Sequence, residues 1–197
     1  MIRRLPIIPT IIVLAAVATM IALGFWQLRR AHEKEALLAR YTQAQGLPPT
    51  VWPTVPTPTE RLPLFRRASA NCLEAVTQKA VAGRSLQGDS GYSHLVDCRT
   101  GGAEGPGLRV DIGWSQDPNA GKGWRGGPVS GIIGPDGEKR MRLISSVGYA
   151  GLQPSAPPDI NDIPNNHLSY AVQWFAFAAV ALLIYGFAVR ARLKERA

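Results

Sequence analysis

Two apolar runs without a single charged residue dictate most of what this chain can fold into. Residues 7–26, IIPTIIVLAAVATMIALGFW, and residues 168–189, LSYAVQWFAFAAVALLIYGFAV, contain no Asp, Glu, Lys, Arg or His. A hydrocarbon core about 30 Å thick is crossed by about 20 such residues in a helix. A single segment in lipid has to be a helix, because every backbone polar group must be satisfied within it. With 197 residues in all, the stretch between the runs has room for one domain. The expected fold class is membrane α + β: two transmembrane helices, N- and C-terminal, flanking a small, mostly antiparallel β soluble domain.

Charge orients the expected spans. The formal charge of +8 would suggest nucleic-acid binding if it lay in one patch. Instead Arg3 and Arg4 precede the first run, and Arg190, Arg192, Lys194 and Arg196 follow the second against Glu195 alone. Residues 27–167 hold 16 basic against 13 acidic residues. Most of the excess is therefore topological, and no nucleic acid is expected as partner. Short basic flanks stay cytoplasmic while long loops cross largely regardless of charge. Arg29, Arg30 and Lys34 oppose this orientation, but the basic tail and the even number of spans favour it.

A cleaved signal peptide is the alternative for the first run, since Ala16-Val17-Ala18 loosely resembles a cleavage site. The run is longer than a signal core and ends in Trp26, an interface residue. No Arg- and Ser-rich extension precedes it, which points to a bacterial inner membrane. The expected organisation is a cytoplasmic N-terminus (1–6), first span (7–26), helical extension (27–46) and Pro-rich linker (47–63). A periplasmic β-rich domain (64–167), second span (168–189) and basic cytoplasmic tail (190–197) complete it.

After Trp26 the pattern stays helical, with Leu28, Ala31, Leu37, Leu38 and Tyr41 as an interrupted apolar stripe, until Gly46 and Pro48-Pro49 end it. Six prolines between residues 47 and 63 exclude a long helix or a central strand there. Short segments follow, with candidate strands at 64–69, 72–83, 91–98, 107–114, 128–134 and 141–148. Turns are expected at 87–91 (QGDSG) and 135–138 (PDGE). Connections this short favour antiparallel pairing. Cys72 and Cys98 fall on adjacent candidate strands, and a symmetric hairpin centred near Ser85 would set them opposite each other. A disulfide is feasible in an oxidising compartment, with two half-buried thiols as the alternative.

Catalytic signals are sparse. Phosphate-loop, nucleophile-elbow and zinc-protease motifs are absent, and the glycines at 101–107 and 121–127 read as surface loops. His32, His94 and His167 are far apart in sequence. His32 lies on a charged helix and His94 alternates with apolar residues, so both read as structural. His167 begins the second run, where a helix lines up His167, Ala171, Trp174, Ala178, Ala181 and Tyr185, with Tyr170 beside them. Small residues there would let another helix or a flat ligand approach closely. Thr19, Ala22 and Trp26 form a comparable stripe on the first run, with Gln27 next to it. A neutral imidazole at a membrane boundary could serve haem iron as an axial ligand. The competing reading is the ordinary enrichment of Trp, Tyr and His at the interface.

The segment from Leu23 to Arg30 (LGFWQLRR), followed by Lys34 and Leu37-Leu38, resembles the amino-terminal signature of the surfeit locus protein 1 family. The segment from Asn166 to Phe175 (NHLSYAVQWF) is similar to its carboxy-terminal signature. Gly91-Tyr92 and the run from Val110 to Trp114 match weaker landmarks in the same order. The chain departs from the family pattern at Asp111–Gln116, where an Asn-Arg-Gly-Trp-Val-Pro-like run is usual, and at Asp97-Cys98, where Thr-Pro is common.

The resemblance implies a non-enzymatic assembly factor for haem–copper terminal oxidases, acting at or near insertion of haem a into the catalytic subunit. That subunit is the implied partner, with haem a synthesis enzymes as further candidates and the lipid bilayer as surroundings. It also implies His167 as the haem-iron ligand, with Tyr170, Gln173 and Trp174 beside it; the paired spans would then form a shallow cleft with Trp26 and Gln27 on its other side. Two competitors stand: a scaffold that stabilises an oxidase intermediate without touching haem, and a membrane-anchored envelope enzyme.

Overall fold

The computed structural model describes residues 7–53, 55–101 and 107–195. The N-terminal residues 1–6, Gly102 and Gly105 of the glycine-rich loop, and Arg196 lie outside them. The chain divides into two compact units, one of residues 1–37 and 164–197, the other of residues 38–163.

The first unit is helical. Helix α1 (Ile7–Gly46) and helix α2 (His167–Glu195) both exceed the length a bilayer requires. Over residues 7–26 of α1 and 168–189 of α2 the helices are apolar almost all round, and Ile8, Ile12, Phe25, Leu183 and Phe187 expose more than half of their surface. That suits a hydrocarbon solvent. Three contacts show that the helices run antiparallel: the Thr10 and Tyr185 hydroxyls bond, Phe25 meets Phe175, and Gln27 meets His167.

The second unit is a mixed seven-stranded sheet in the order β1-β2-β6-β7-β5-β4-β3. Its strands are β1 (Thr50–Val51), β2 (Arg67–Cys72), β3 (Glu74–Arg84), β4 (Ser90–Arg99), β5 (Leu108–Ser115), β6 (Gly127–Asp136) and β7 (Arg140–Ser145). Four neighbouring pairs are antiparallel, while β1–β2 and β5–β7 are parallel. The β5–β7 pairing, like the short β1–β2 one, departs from the expectation drawn from short connections. Residues 116–126 are long enough to carry the chain past the site of β7, which the β6–β7 hairpin then fills.

Alternating apolar residues build the core. Val110, Ile112, Ile133 and Leu143 are wholly buried, with Trp52, Phe65 and Leu108 packed around them. Tyr41, near the end of α1, stacks on Phe65 with ring centroids 4.8 Å apart. The Pro-rich stretch contributes the edge strand β1, the buried Trp52 and a short 3-10 helix (Thr59–Arg61).

The hairpin register differs from the symmetric one centred near Ser85. The β3–β4 pairs Arg84↔Ser90 and Ala80↔His94 centre it on Gln87, two residues on. Cys72 is not in that hairpin at all: the strand breaks at Leu73, and Cys72 ends β2, paired with Gly127 of β6. Leu73 N–H donates to Arg99 O at 2.9 Å, so the end of β2 abuts the end of β4. There Cys72 and Cys98 form a disulfide with Cα atoms 5.2 Å apart.

Candidate functional site

The face of α1 that packs is set by a seven-residue spacing. Val17, Gly24 and Ala31 are its buried residues, seven apart, as on one seam of a pair of packed helices. The stripe read from sequence, Thr19, Ala22 and Trp26, is on another face and exposed, Trp26 at 45%. On α2 the expected stripe is the packed one: Ala171 and Ala178 are buried, and His167, Trp174, Ala181 and Tyr185 are half-buried. The helix these small residues admit is the chain's own α1. Gly24 makes the closest approach, since a Cβ there would lie 2.6 Å from the Phe175 ring.

At one end of the pair, His167 Nδ1 lies 2.8 Å from Gln27 Oε1. An amide oxygen can only accept, so Nδ1 donates to it, and in the neutral imidazole the Nε2 lone pair is left over. Nε2 has no hydrogen-bond partner among the described residues. A neutral imidazole whose second nitrogen is held by an acceptor is the usual state of a metal-binding histidine. The donor set therefore fits haem iron held at one axial position. The residues named with His167 divide. Gln27 touches it and Trp174 is half-buried on the α1-facing stripe, whereas Trp26, Tyr170 and Gln173 are exposed. Phe175 and Gly24 were not singled out from sequence; Gly24, the one glycine of residues 7–26, was the available signal.

The sheet unit carries its own buried polar groups. Arg109 is 4% exposed and binds Asp97 at 2.7 and 3.0 Å, Asp136 at 3.2 Å and Glu138 at 2.9 Å. The hydrogen bonds from Arg109 hold the Asp97 carboxyl below its ordinary range, against the burial that raises it. Asp111 is buried with Ser155 Oγ donating to it at 2.6 Å and Gly113 N at 3.2 Å, and burial pushes its carboxyl upward. His94 is wholly buried: Ser115 Oγ donates to Asp117 O at 2.6 Å and so accepts from His94 Nε2 at 2.9 Å. Burial lowers the His94 pKa, and Asp111 opposes this. A cavity of about 300 Å³ is lined by Arg84, Arg142, Asp159, Asp162 and Phe65 among others, and neither His94 nor Asp111 borders it. Among the described residues no three His, Cys, Asp or Glu side chains are grouped so as to hold a metal ion.

An antiparallel pair of membrane-length helices at the two ends of a chain, with a mixed β-sheet unit between them in sequence, fits a membrane protein. The SURF1 family model matches residues 14–179, which takes in most of α1, the whole sheet and the first part of α2. The chain belongs to the SURF1 family, whose members are assembly factors for cytochrome c oxidase. No curated protein matches it.

Proposed function

We propose that this chain assists delivery or insertion of haem a into the catalytic subunit of a haem–copper terminal oxidase. It acts from a bacterial inner membrane with both termini cytoplasmic and the sheet unit periplasmic. Family membership supports the oxidase, and the basic flanks of the helices support the orientation. The observation that carries the haem reading is the His167–Gln27 bond, which keeps an imidazole lone pair available at one end of the helix pair. In this reading His167 Nε2 supplies the axial donor to the cargo's iron. Gln27 fixes the ring and its tautomer, and Trp174 lends an aromatic wall. A single protein ligand suits a carrier, because a transferring protein must also let go.

The test is an absorption spectrum of the detergent-purified protein, co-expressed with the haem a pathway, for wild type and His167→Ala. A stoichiometric haem band that weakens or shifts in the variant supports the carrier. No band in either, with oxidase assembly intact in the variant, leaves the scaffold.

A further inference from the structure

Helix α1 continues well past its apolar run, and the stretch just beyond Gln27 is densely charged: Arg29, Arg30, His32, Glu33, Lys34 and Glu35. Basic flanks ordinarily mark the cytoplasmic end of a span. In the orientation proposed above, Arg29, Arg30 and Lys34 stand at the opposite end, so topology gives no reason for them.

Burial and pairing set Lys34 apart from its neighbours. Arg29, Arg30, His32, Glu33 and Glu35 are exposed, whereas Lys34 is half-buried. Both acids of the stretch are already engaged. Glu33 binds Arg30 at 2.7 Å, and Glu35 lies 3.5 Å from His32, each pair one turn apart on the helix. Lys34 has neither an ion pair nor a hydrogen bond among the described residues. Arg30 precedes it by four residues, a spacing at which like charges repel. A half-buried ammonium beside another cation, with no carboxylate to meet it, lacks an anion that the chain does not supply.

Its place on the helix says which anion. Seven helical residues fall only about 20° short of two whole turns, so Lys34 lies almost in line with Gln27, roughly 10 Å farther along α1. Ala31, between them, is buried, and Gln27 is the residue bonded to His167. All four belong to the helical unit. The α1 face that steadies the His167 ring therefore continues, away from the apolar run, to an unpaired cation. Haem is a flat, largely apolar ring with two propionate carboxylates on one edge. A carboxylate taken into hydrocarbon without a partner is costly, so a ring held at the end of a span turns that edge away from lipid. Lys34 lies in that direction from Gln27.

We propose that Lys34 binds a propionate of the haem whose iron His167 holds. The assignment rests on the haem reading of His167 and adds a second point of contact, which fixes the edge of the ring that faces water. Lysine offers one point charge on a flexible stem, where arginine would offer a bidentate fork. Such a contact orients the cargo and still lets it go. An anionic lipid headgroup carries the same charge, and the test separates the two.

The test titrates haem a and haem a dimethyl ester, whose propionates are neutral, into the detergent-purified full chain and follows absorption. Wild type, Lys34→Gln and Lys34→Arg are compared. Wild type should bind the diacid roughly tenfold more tightly than the ester. Lys34→Gln should erase that preference with ester affinity unchanged, and Lys34→Arg should keep most of it. Glutamine is as good a helix former as lysine, so unchanged circular dichroism is expected throughout. Equal binding of diacid and ester by wild type, or a Lys34→Gln that weakens both alike, overturns the proposal and leaves His167 in place. A preference that vanishes when phosphatidylglycerol is added to the micelles assigns Lys34 to a lipid headgroup and overturns it too. Binding of neither form by wild type overturns the haem reading itself, and this assignment with it.

Discussion

Gln27 Oε1 sits 2.8 Å from His167 Nδ1, a bond across 140 residues of sequence that fixes which imidazole nitrogen is left over. Its consequence can be tested without touching the histidine. Gln27→Leu puts an apolar side chain in place of the amide and cannot accept from Nδ1, so ring orientation and tautomer are no longer set. Loss of such a supporting partner typically lowers metal affinity about 10- to 100-fold. Haem titration of purified Gln27→Leu should show that weakening with the helical circular dichroism unchanged. Affinity equal to wild type would remove Gln27 from the site.

Gly24 and Phe175 occupy the same space from opposite helices. A larger residue at 24 must displace the ring, since even a Cβ would stand 2.6 Å from it. Overpacking of this kind costs about 1–3 kcal/mol. Gly24→Val should lower the melting temperature of the detergent-solubilised protein, and Phe175→Ala added to it should recover part of the loss. Two losses that simply add would mean that the helices do not meet at this point.

The two helices were legible because twenty uncharged residues in a row leave lipid as the matching solvent. The packing face was legible on α2, where His167, Ala171, Trp174 and Ala178 recur at helical spacing, and misplaced on α1. The first span is apolar on every side, so hydropathy gives its helix no preferred face. Only the seven-residue recurrence of Val17, Gly24 and Ala31 distinguishes the buried one. In the sheet, alternation located most strands within a few residues. It could not reveal the break at Leu73, nor that β7 inserts between β5 and β6, because both depend on partners distant in sequence.

That break governs how the cysteines contribute. Cys72 and Cys98 tie the end of β2 to β4 across 26 residues, and both are buried. Closing a loop of this size removes unfolded-state freedom amounting to roughly 3 kcal/mol. The Cys72→Ala, Cys98→Ala double variant should unfold at correspondingly lower denaturant. Since its pairing with Gly127 belongs to a separate ladder, β2 should survive the loss of the bridge. An unchanged denaturation midpoint would show that the bridge constrains nothing the sheet has not already fixed.

Arg109 is where charge matters most in the sheet unit. Its guanidinium is 4% exposed and so is the Asp136 side chain, while Asp97 on its other side is 32% exposed. Removing one member of a buried cluster strands the others, at a cost of about 3–5 kcal/mol. Asp136 is partly protected, because Glu138 N–H and Lys139 N–H also donate to it, so Arg109→Met should fall at the lower end of that range. The variant should also change the acid limb of stability. Asp97 is held below its ordinary pKa in the fold, chiefly by the hydrogen bonds from Arg109. A carboxylate depressed in this way adds stability that is complete above its unfolded pKa, about 3.9. That contribution drains as pH falls from there through the folded pKa. Without Arg109 the chief cause of the depression goes, leaving the Thr77 hydrogen bond and Lys139 against the burial that pushes Asp97 upward. Denaturant melts of wild type between pH 7 and pH 3 should therefore lose stability as the solution is acidified toward and below pH 4. Arg109→Met should start lower and decline less steeply. Parallel curves would mean that Arg109 serves the sheet by packing and not by holding Asp97 ionised.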